Sequence, residues 1–185
     1  MGNALQLSGY QAVVLCEDVA HYRLAAEFLK NGALPVGKIY QSVAPSGQGS
    51  GKSWVLQRIA AEIKALRRRT ARTVLLIIVD ADEQATDDAY REIRKRIEES
   101  PNPVRHPVVA VVPTRNIESW IHYLVTGLID ETTSFKRHYL KNVSNGEMAA
   151  RLLDRVCQAE HSATPLPPSL RMAREAWVQA FSTTS

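Results

Sequence analysis

The chain has 185 residues, 45% of them hydrophobic, and a formal charge of +4 at pH 7, which fits one domain with a real core. Its longest apolar run, Val74 to Val79, stops at Asp80 and is far shorter than the roughly 20 residues that a membrane span needs. The two cysteines lie far apart without the spacing of a zinc site or a disulfide framework, and no secretory signal is recognisable, so we expect a cytoplasmic protein.

Short apolar runs alternate along the chain with segments whose apolar residues recur at helical spacing. The runs predict strands, and the segments between them predict helices. In chain order, the predicted elements are a strand at Val13–Cys16, a helix from about Tyr22 to Asn31, an extended stretch at Ile39–Val43, a helix at Trp54–Leu66, a strand at Thr73–Val79, a helix around Ala89–Ile97, a strand at Val108–Val112, a helix at Ile117–Leu124, and two C-terminal helices at Met148–Val156 and Leu170–Phe181.

This alternation predicts the fold class. Strands that alternate with helices of this length form a mainly parallel sheet, because parallel neighbours need a crossover connection. We therefore expect an α/β, Rossmann-like fold in which a mainly parallel four-stranded sheet carries helices on both faces. Residues 1–185 are predicted to form one domain, with a core at about 11–125 and a C-terminal helical extension at about 126–185.

Acidic residues follow three of the predicted strands. Glu17 comes directly after the first strand, Asp80 and Asp82 follow the third, and Glu118 lies in the helix after the fourth. The carboxyl ends of parallel strands share one edge, where open α/β folds bind ligands, so we expect these side chains to converge. Clustered carboxylates repel one another unless they are protonated or bridged by cations, and such hard oxygen ligands suit Mg²⁺ or Mn²⁺. The sequence therefore predicts a divalent-metal site.

Some of these residues also have a simpler interpretation. Glu17 or Asp18 is suited to capping the first helix. Glu118 does not complete a capping box if Thr114 is the N-cap, which leaves its carboxylate free for another role. Beside it, Arg115 provides a guanidinium group and Asn116 provides a side-chain amide, both of which suit a phosphate group. His21 follows Glu17 by about one helical turn and could join the same edge, although a lone helical histidine is more often packed or solvated.

The three acidic segments together resemble a known family. They read VVLCED at the first strand, LLIIVDAD at the third and VVPTRNIESW at the fourth. This ordered set resembles the Toprim domain, especially the compact versions related to OLD-family nucleases of bacterial phage-defence loci. The resemblance covers about residues 11–125.

The resemblance implies an activity and a role for each acid. Glu17 would be the general acid/base or a metal ligand, Asp80 and Asp82 would be metal ligands, and Glu118 would be an additional ligand. Lys136 is the candidate for the lysine that such enzymes use beyond the core. The expected activity is hydrolysis of DNA phosphodiester bonds with two Mg²⁺ or Mn²⁺ ions. The expected partners are DNA and a separate ATPase of the OLD, SMC or ABC type, while the sequence leaves the oligomeric state open and is compatible with a homo-oligomer.

A glycine-rich loop supports a competing interpretation. The segment Ser46–Ser53 reads almost as a Walker A loop, in which Gly51, Lys52 and Ser53 would bind the phosphates and magnesium of ATP or GTP. The leading glycine of that motif is replaced here by Ser46, so the glycines are equally compatible with a turn that opens the second helix. A non-catalytic adaptor with the same Toprim-like fold is the third alternative.

Basic residues are concentrated in two helical segments. Such clusters can contact a phosphate backbone, and Arg67 and Arg68 are our candidates for that role together with Arg115 and Asn116. Each cluster is also compatible with a solvated helix face. The clusters consist of Lys64, Arg67, Arg68, Arg69 and Arg72 in the first segment, and Arg91, Arg94, Lys95 and Arg96 in the second.

Overall fold

The computed structural model describes residues 7–32, 34–47, 50–82, 84–100, 106–136, 138, 144–158 and 165–182. Four strands and six α-helices, with one short 3₁₀ helix at Val36–Lys38, make up this part of the chain. In chain order, they are β1 (Gln11–Cys16), α1 (Val19–Asn31), β2 (Ile39–Val43), α2 (Gly51–Leu66), β3 (Thr73–Ile78), α3 (Thr86–Glu99), β4 (Val108–Val111), α4 (Ile117–Thr126), α5 (Asn145–Gln158) and α6 (Pro168–Ser182).

The four strands form one parallel sheet in the order β2-β1-β3-β4. This arrangement confirms the predicted fold class. The first crossover leads from β1 outward to β2, whereas the second returns past β1 to β3. The direction of winding thus reverses between β1 and β3, which pair along their whole length from Gln11–Thr73 to Cys16–Ile78. Ligands of open α/β sheets bind at such a reversal point, outside the carboxyl ends of the two strands.

Helices cover both faces of the sheet. Alternate residues of β1 point to opposite faces, so that Val14 packs on one side and Leu15 on the other. Residues of α2 and α3 complete the core on the side of Leu15, and residues of α1, α4, α5 and α6 complete it on the side of Val14. All six residues of β3 are buried, as its continuous run of branched apolar side chains predicts for a strand that is covered on both faces.

The C-terminal helices are part of the core. Met148 and Ala149 of α5 are buried within the same cluster as α1. Trp177 of α6 lies edge-on to Phe28 of α1, with 5.9 Å between the ring centroids. Without α5 and α6, one side of β4 and one side of α1 would lose their cover. Among the described residues, no helix is both long enough and apolar enough to span a membrane.

The start of α4 differs from the sequence-based expectation. Asn116, rather than Thr114, occupies the N-cap position, and Glu118 is the second residue of the helix. Beyond β4 the chain still pairs with the segment after β3, since Ala81 donates a backbone hydrogen bond to the Pro113 carbonyl at 2.8 Å. The acid therefore lies in the first turn of α4, close to the carboxyl edge of the sheet.

Candidate functional site at the carboxyl edge

Glu17 and Asp80 meet at the reversal point between β1 and β3. Glu17 directly follows β1, and its Oε1 accepts a hydrogen bond from the backbone N–H of Asp80 at 2.7 Å. The backbone around Asp80 is held in place from the other side, because Val79 donates to the Val111 carbonyl at 3.1 Å. Asp80 is only 3% exposed. The predicted convergence of these two acids is therefore observed.

His21 is the closest partner of the Asp80 carboxylate. It lies in the first turn of α1 and is 1% exposed, and its Nε2 lies 2.9 Å from Asp80 Oδ1. Its other ring nitrogen, Nδ1, lies 3.4 Å from Asp18 Oδ1. Asp18 is the N-cap of α1 and accepts the backbone N–H of His21 at 2.9 Å. The cap thus fixes the turn that carries the histidine.

The surroundings of His21 favour its charged form. Burial lowers the pKa of this imidazole, but the hydrogen bond to Asp80 and the negative charges of Asp80, Asp18 and Glu17 outweigh burial and raise the pKa to about 9. A protonated histidine would donate to the buried Asp80 carboxylate, and the pair would then be neutral overall. The sequence left open whether His21 joins the acidic edge or is only packed or solvated, and the structure places it against the candidate metal ligand Asp80.

Asp82 and Lys136 form the outer part of the site. Lys136 Nζ lies 3.4 Å from Asp82 Oδ1 and 3.8 Å from Asp80 Oδ2, so the lysine bridges the two aspartates. Burial lowers the pKa of Lys136, but the charges of Asp80, Asp82 and Glu118 raise it above its ordinary value. Asp82 has a φ of 55°, a left-handed conformation that short polar side chains tolerate better than bulky ones. Arg115 Nη1 donates to the Asp82 carbonyl at 3.0 Å and supports this turn.

Glu118 approaches the group from α4. Its side chain is 8% exposed, and burial followed by the charge of Asp80 raises the pKa of its carboxyl. The same two causes, in the same order, raise the pKa of Glu17 to about 7. Burial is thus the main cause of both shifts, and the charge of Asp80 adds to it; by formal charge, the four acids outnumber Lys136 and a protonated His21. All four predicted acids lie at one edge of the fold.

Oxygen donors are the right chemistry for Mg²⁺ or Mn²⁺, and the uncompensated negative charge favours a cation at this edge. In the present conformation, however, no three histidine, cysteine, aspartate or glutamate side chains of the described residues are close enough to hold an ion. Lys136 lies within 4 Å of both aspartates and supplies a positive charge there in this conformation.

A polar cavity of about 360 Å³ opens beside Asp82 and Lys136. Arg115, Asn116 and Ser134 complete its lining. Asn116 Nδ2 donates to Ser134 Oγ at 3.1 Å, whereas its buried Oδ1 has no hydrogen-bond partner among the described residues. Two cations and an amide thus line one cavity next to the acids, and phosphate binding by Arg115 and Asn116 stays a prediction.

Arg67 and Arg68 do not join this site. They follow α2, which runs back from the carboxyl edge and ends near the beginning of β3. Their neighbours identify the location, because Arg69 donates to the Gln11 side chain at 3.4 Å and Gln11 is the first residue of β1. Both arginines therefore lie at the amino edge of the sheet, away from the acidic site, and their contact with a nucleic-acid phosphate stays a prediction.

The glycine-rich loop lies at the carboxyl edge, and Gln48 and Gly49 within it are outside the described residues. A Cβ atom at Gly51 would lie 3.0 Å from Glu17 Cβ and 3.1 Å from the Glu17 carbonyl oxygen, so only glycine fits here without a shift. Ser50 caps α2 by accepting the backbone N–H of Ser53 at 3.5 Å, and Lys52 Nζ donates to Gln84 Oε1 at 2.8 Å. Gly51 thus has a packing role that is independent of any nucleotide.

No protein-family model, curated protein or solved structure matches the chain. The functional interpretation of the site therefore depends on its own geometry and on the residues of the acidic motifs.

Proposed function

We propose that the chain is a metal-dependent nuclease that hydrolyses DNA phosphodiester bonds. The observation that carries this proposal is the convergence of Glu17, Asp80, Asp82 and Glu118, together with Lys136, at the carboxyl edge of the sheet. These are the residues that the resemblance to Toprim nucleases selects, and they come from four separate segments of the chain. A purely structural cluster would not need so many acids at one edge, because each one adds repulsion.

Asp80, Asp82 and Glu118 would hold the cations, with Glu17 as a further ligand or as the general acid/base. Bound Mg²⁺ or Mn²⁺ would supply an activated water and would stabilise the negative charge of the leaving oxygen. Lys136, which already pairs with both aspartates, would then direct its ammonium group to a phosphate oxygen of the substrate.

Other residues of the site would orient the metal ligand Asp80 and bind the substrate phosphate. His21 holds Asp80 in one orientation through the bond to Oδ1, which leaves Oδ2 directed toward Lys136 and the solvent side. Such an outer partner fixes a ligand and strengthens metal binding. Arg115 and Asn116 line the adjacent cavity and would bind the phosphate through charge-assisted hydrogen bonds.

The direct test is cleavage of plasmid DNA by the purified chain with Mg²⁺ or Mn²⁺, compared with Asp80→Asn and Asp82→Asn. We expect both substitutions to reduce cleavage by about a thousandfold or more, since each removes a ligand of the catalytic ions. Glu99→Gln is the matched control, because it also removes one negative charge but lies in the last turn of α3 at the other end of the sheet. Circular dichroism would establish that all variants are folded. Equal cleavage by the wild type and both aspartate variants would refute the proposal.

Two other outcomes would favour the alternatives. DNA or Mn²⁺ binding without cleavage, in the presence or absence of a partner ATPase, would favour the adaptor. Mg²⁺-dependent nucleotide binding that is lost in Lys52→Ala would favour the glycine-rich loop as the functional site.

A further inference from the structure

The two basic clusters differ in their ion pairing. In α3, each of the four cations is paired with an acid one turn away on the same helix. Arg94 and Glu98 approach to 3.0 Å, and Arg96 and Glu92 to 3.3 Å. The complete set of pairs is Arg91 with Asp88, Arg94 with Glu98, Lys95 with Glu99, and Arg96 with Glu92. This cluster is therefore neutralised by its own helix.

The cluster at the end of α2 has no such acids. We call it the amino-edge patch, and its members are Lys64, Arg67, Arg68, Arg69 and Arg72. Four of them are exposed and Arg69 is half-buried. Within the described part of the chain, none of the five forms an ion pair with a carboxylate. The patch is thus a concentrated positive charge without an internal counter-charge.

Two arginines of the patch are held by tyrosines. The Arg69 guanidinium lies 5.0 Å from the centre of the Tyr40 ring, and that of Arg72 lies 4.5 Å from the centre of the Tyr10 ring. Arg72 also donates to the Tyr10 hydroxyl at 2.8 Å. Such contacts are favourable cation–π interactions and restrict the long side chains. Part of the entropy that phosphate binding would cost is therefore already lost in the free protein.

The position of the patch at a helix C-terminus explains only part of its charge. The helix dipole favours one or two cations in the last turn, with an effect that fades within that turn. Residues 64–72 contain five cations, which repel one another and are more than the helix dipole can stabilise. Their number and exposure suit an anionic polymer that spans several of them at once.

We infer that the amino-edge patch is a second binding surface for the backbone of double-stranded DNA, distinct from the acidic site. This inference deepens the proposed function and takes from it the identity of the polyanion. From Thr73 to Asp80, the chain advances about 23 Å along β3 at roughly 3.3 Å per residue. The patch therefore cannot contact the phosphate that is cleaved, and it holds the duplex about seven base pairs away, at roughly 3.4 Å per base pair.

The test measures binding of a short fluorescent duplex by anisotropy in EDTA, at several salt concentrations. The variant R67Q/R68Q removes two cations of the patch, and R91Q/K95Q removes two cations of α3 as a control of equal net charge. Each lost phosphate contact makes the negative slope of log K against log salt shallower by about 0.9, so we expect R67Q/R68Q to reduce its magnitude by about two. R91Q/K95Q is expected to retain the wild-type slope and to bind DNA at least tenfold more tightly than R67Q/R68Q at low salt.

Two results would overturn the inference. One is equal affinity and equal slope for the two double variants, which would mean that only net charge matters. The other is stronger patch-dependent binding to vesicles of phosphatidylserine and phosphatidylcholine than to the duplex, which would assign the patch to a membrane surface.

The failure of this inference is distinguishable from the failure of the nuclease proposal. Binding in EDTA does not require cleavage, and Asp80→Asn leaves the patch intact. If the wild type does not cut DNA but R67Q/R68Q loses affinity for it, the nuclease proposal fails and the inference that the patch binds DNA stands. If the wild type cuts DNA and R67Q/R68Q binds it with the wild-type slope, the inference that the patch binds DNA is refuted and the nuclease proposal stands.

Discussion

The two edges of the sheet hold their charged groups in different physical environments. At the carboxyl edge, Asp80 and His21 are nearly inaccessible to solvent and are hydrogen-bonded to each other. At the amino edge, Arg67 and Arg68 are exposed and have no acidic partner among the described residues. A buried charge is costly without its partner, whereas an exposed charge is stabilised by water. The comparison indicates that substitutions at the first edge should change stability and activity together, and that those at the second should change only binding.

Replacing His21 with alanine should have the largest effect on folding. The substitution leaves the buried Asp80 carboxylate without its nearest donor, and breaking a buried pair of this kind costs about 3–5 kcal/mol in the free energy of unfolding. Loss of the group that orients Asp80 should also weaken Mn²⁺ binding about 10- to 100-fold. Urea denaturation and isothermal titration with Mn²⁺ measure the two effects.

His21→Gln is the matched variant, since it restores a donor that can reach Asp80. We expect it to recover part of the stability and part of the Mn²⁺ affinity. If alanine and glutamine lower stability equally while Mn²⁺ affinity stays at the wild-type level in both, then His21 is only a packed core residue and does not position Asp80.

Gly51→Ala should have an intermediate effect. The added methyl group would approach Glu17 Cβ to 3.0 Å and the Glu17 carbonyl oxygen to 3.1 Å, and a backbone atom cannot easily move away. Overpacking of this kind costs about 1–3 kcal/mol. Because Glu17 bonds to the Asp80 backbone, its displacement should also reduce cleavage.

The control for this substitution is Gly37→Ala, since a Cβ atom at Gly37 has no neighbour within 4 Å. It should leave stability and cleavage unchanged or raise stability slightly. Thermal melts and the plasmid assay compare the two. If Gly51→Ala behaves like Gly37→Ala, the close approach to Glu17 does not constrain the site.

Much of the carboxyl edge was predictable from the sequence. The buried strand β3 ends just before Asp80, and a parallel sheet brings the ends of its strands to one edge, so the grouping of Glu17, Asp80 and Asp82 follows from topology alone. Asp18 was correctly considered as a helix cap. The Asp18 cap could be predicted from residues that are adjacent in the chain. The grouping of the acids could be predicted because the carboxyl ends of parallel strands lie at one edge.

The pairing of side chains was not predictable in the same way. His21 and Asp80 are 59 positions apart, and their bond depends on the rotation of α1 about its axis. The available signal was the position of His21 on the apolar face of α1, four residues after Glu17, where a buried polar group needs a partner. The location of Arg67 and Arg68 was not predictable either, because a run of basic residues does not indicate which edge of the sheet it reaches. The direction of α2, which returns to the amino edge before β3, decides their location.

The smallest effect on folding is expected from R67Q/R68Q. Both side chains are exposed and neither has a hydrogen-bond or ion-pair partner among the described residues, so no buried group loses a contact. The free energy of unfolding should change by no more than about 0.5 kcal/mol. Mutual repulsion within the amino-edge patch should also decrease, which would favour a slight gain in stability at low salt. Urea denaturation at low and high salt tests this, and a loss of stability comparable with that of His21→Ala would mean that the two edges do not differ as the comparison indicates.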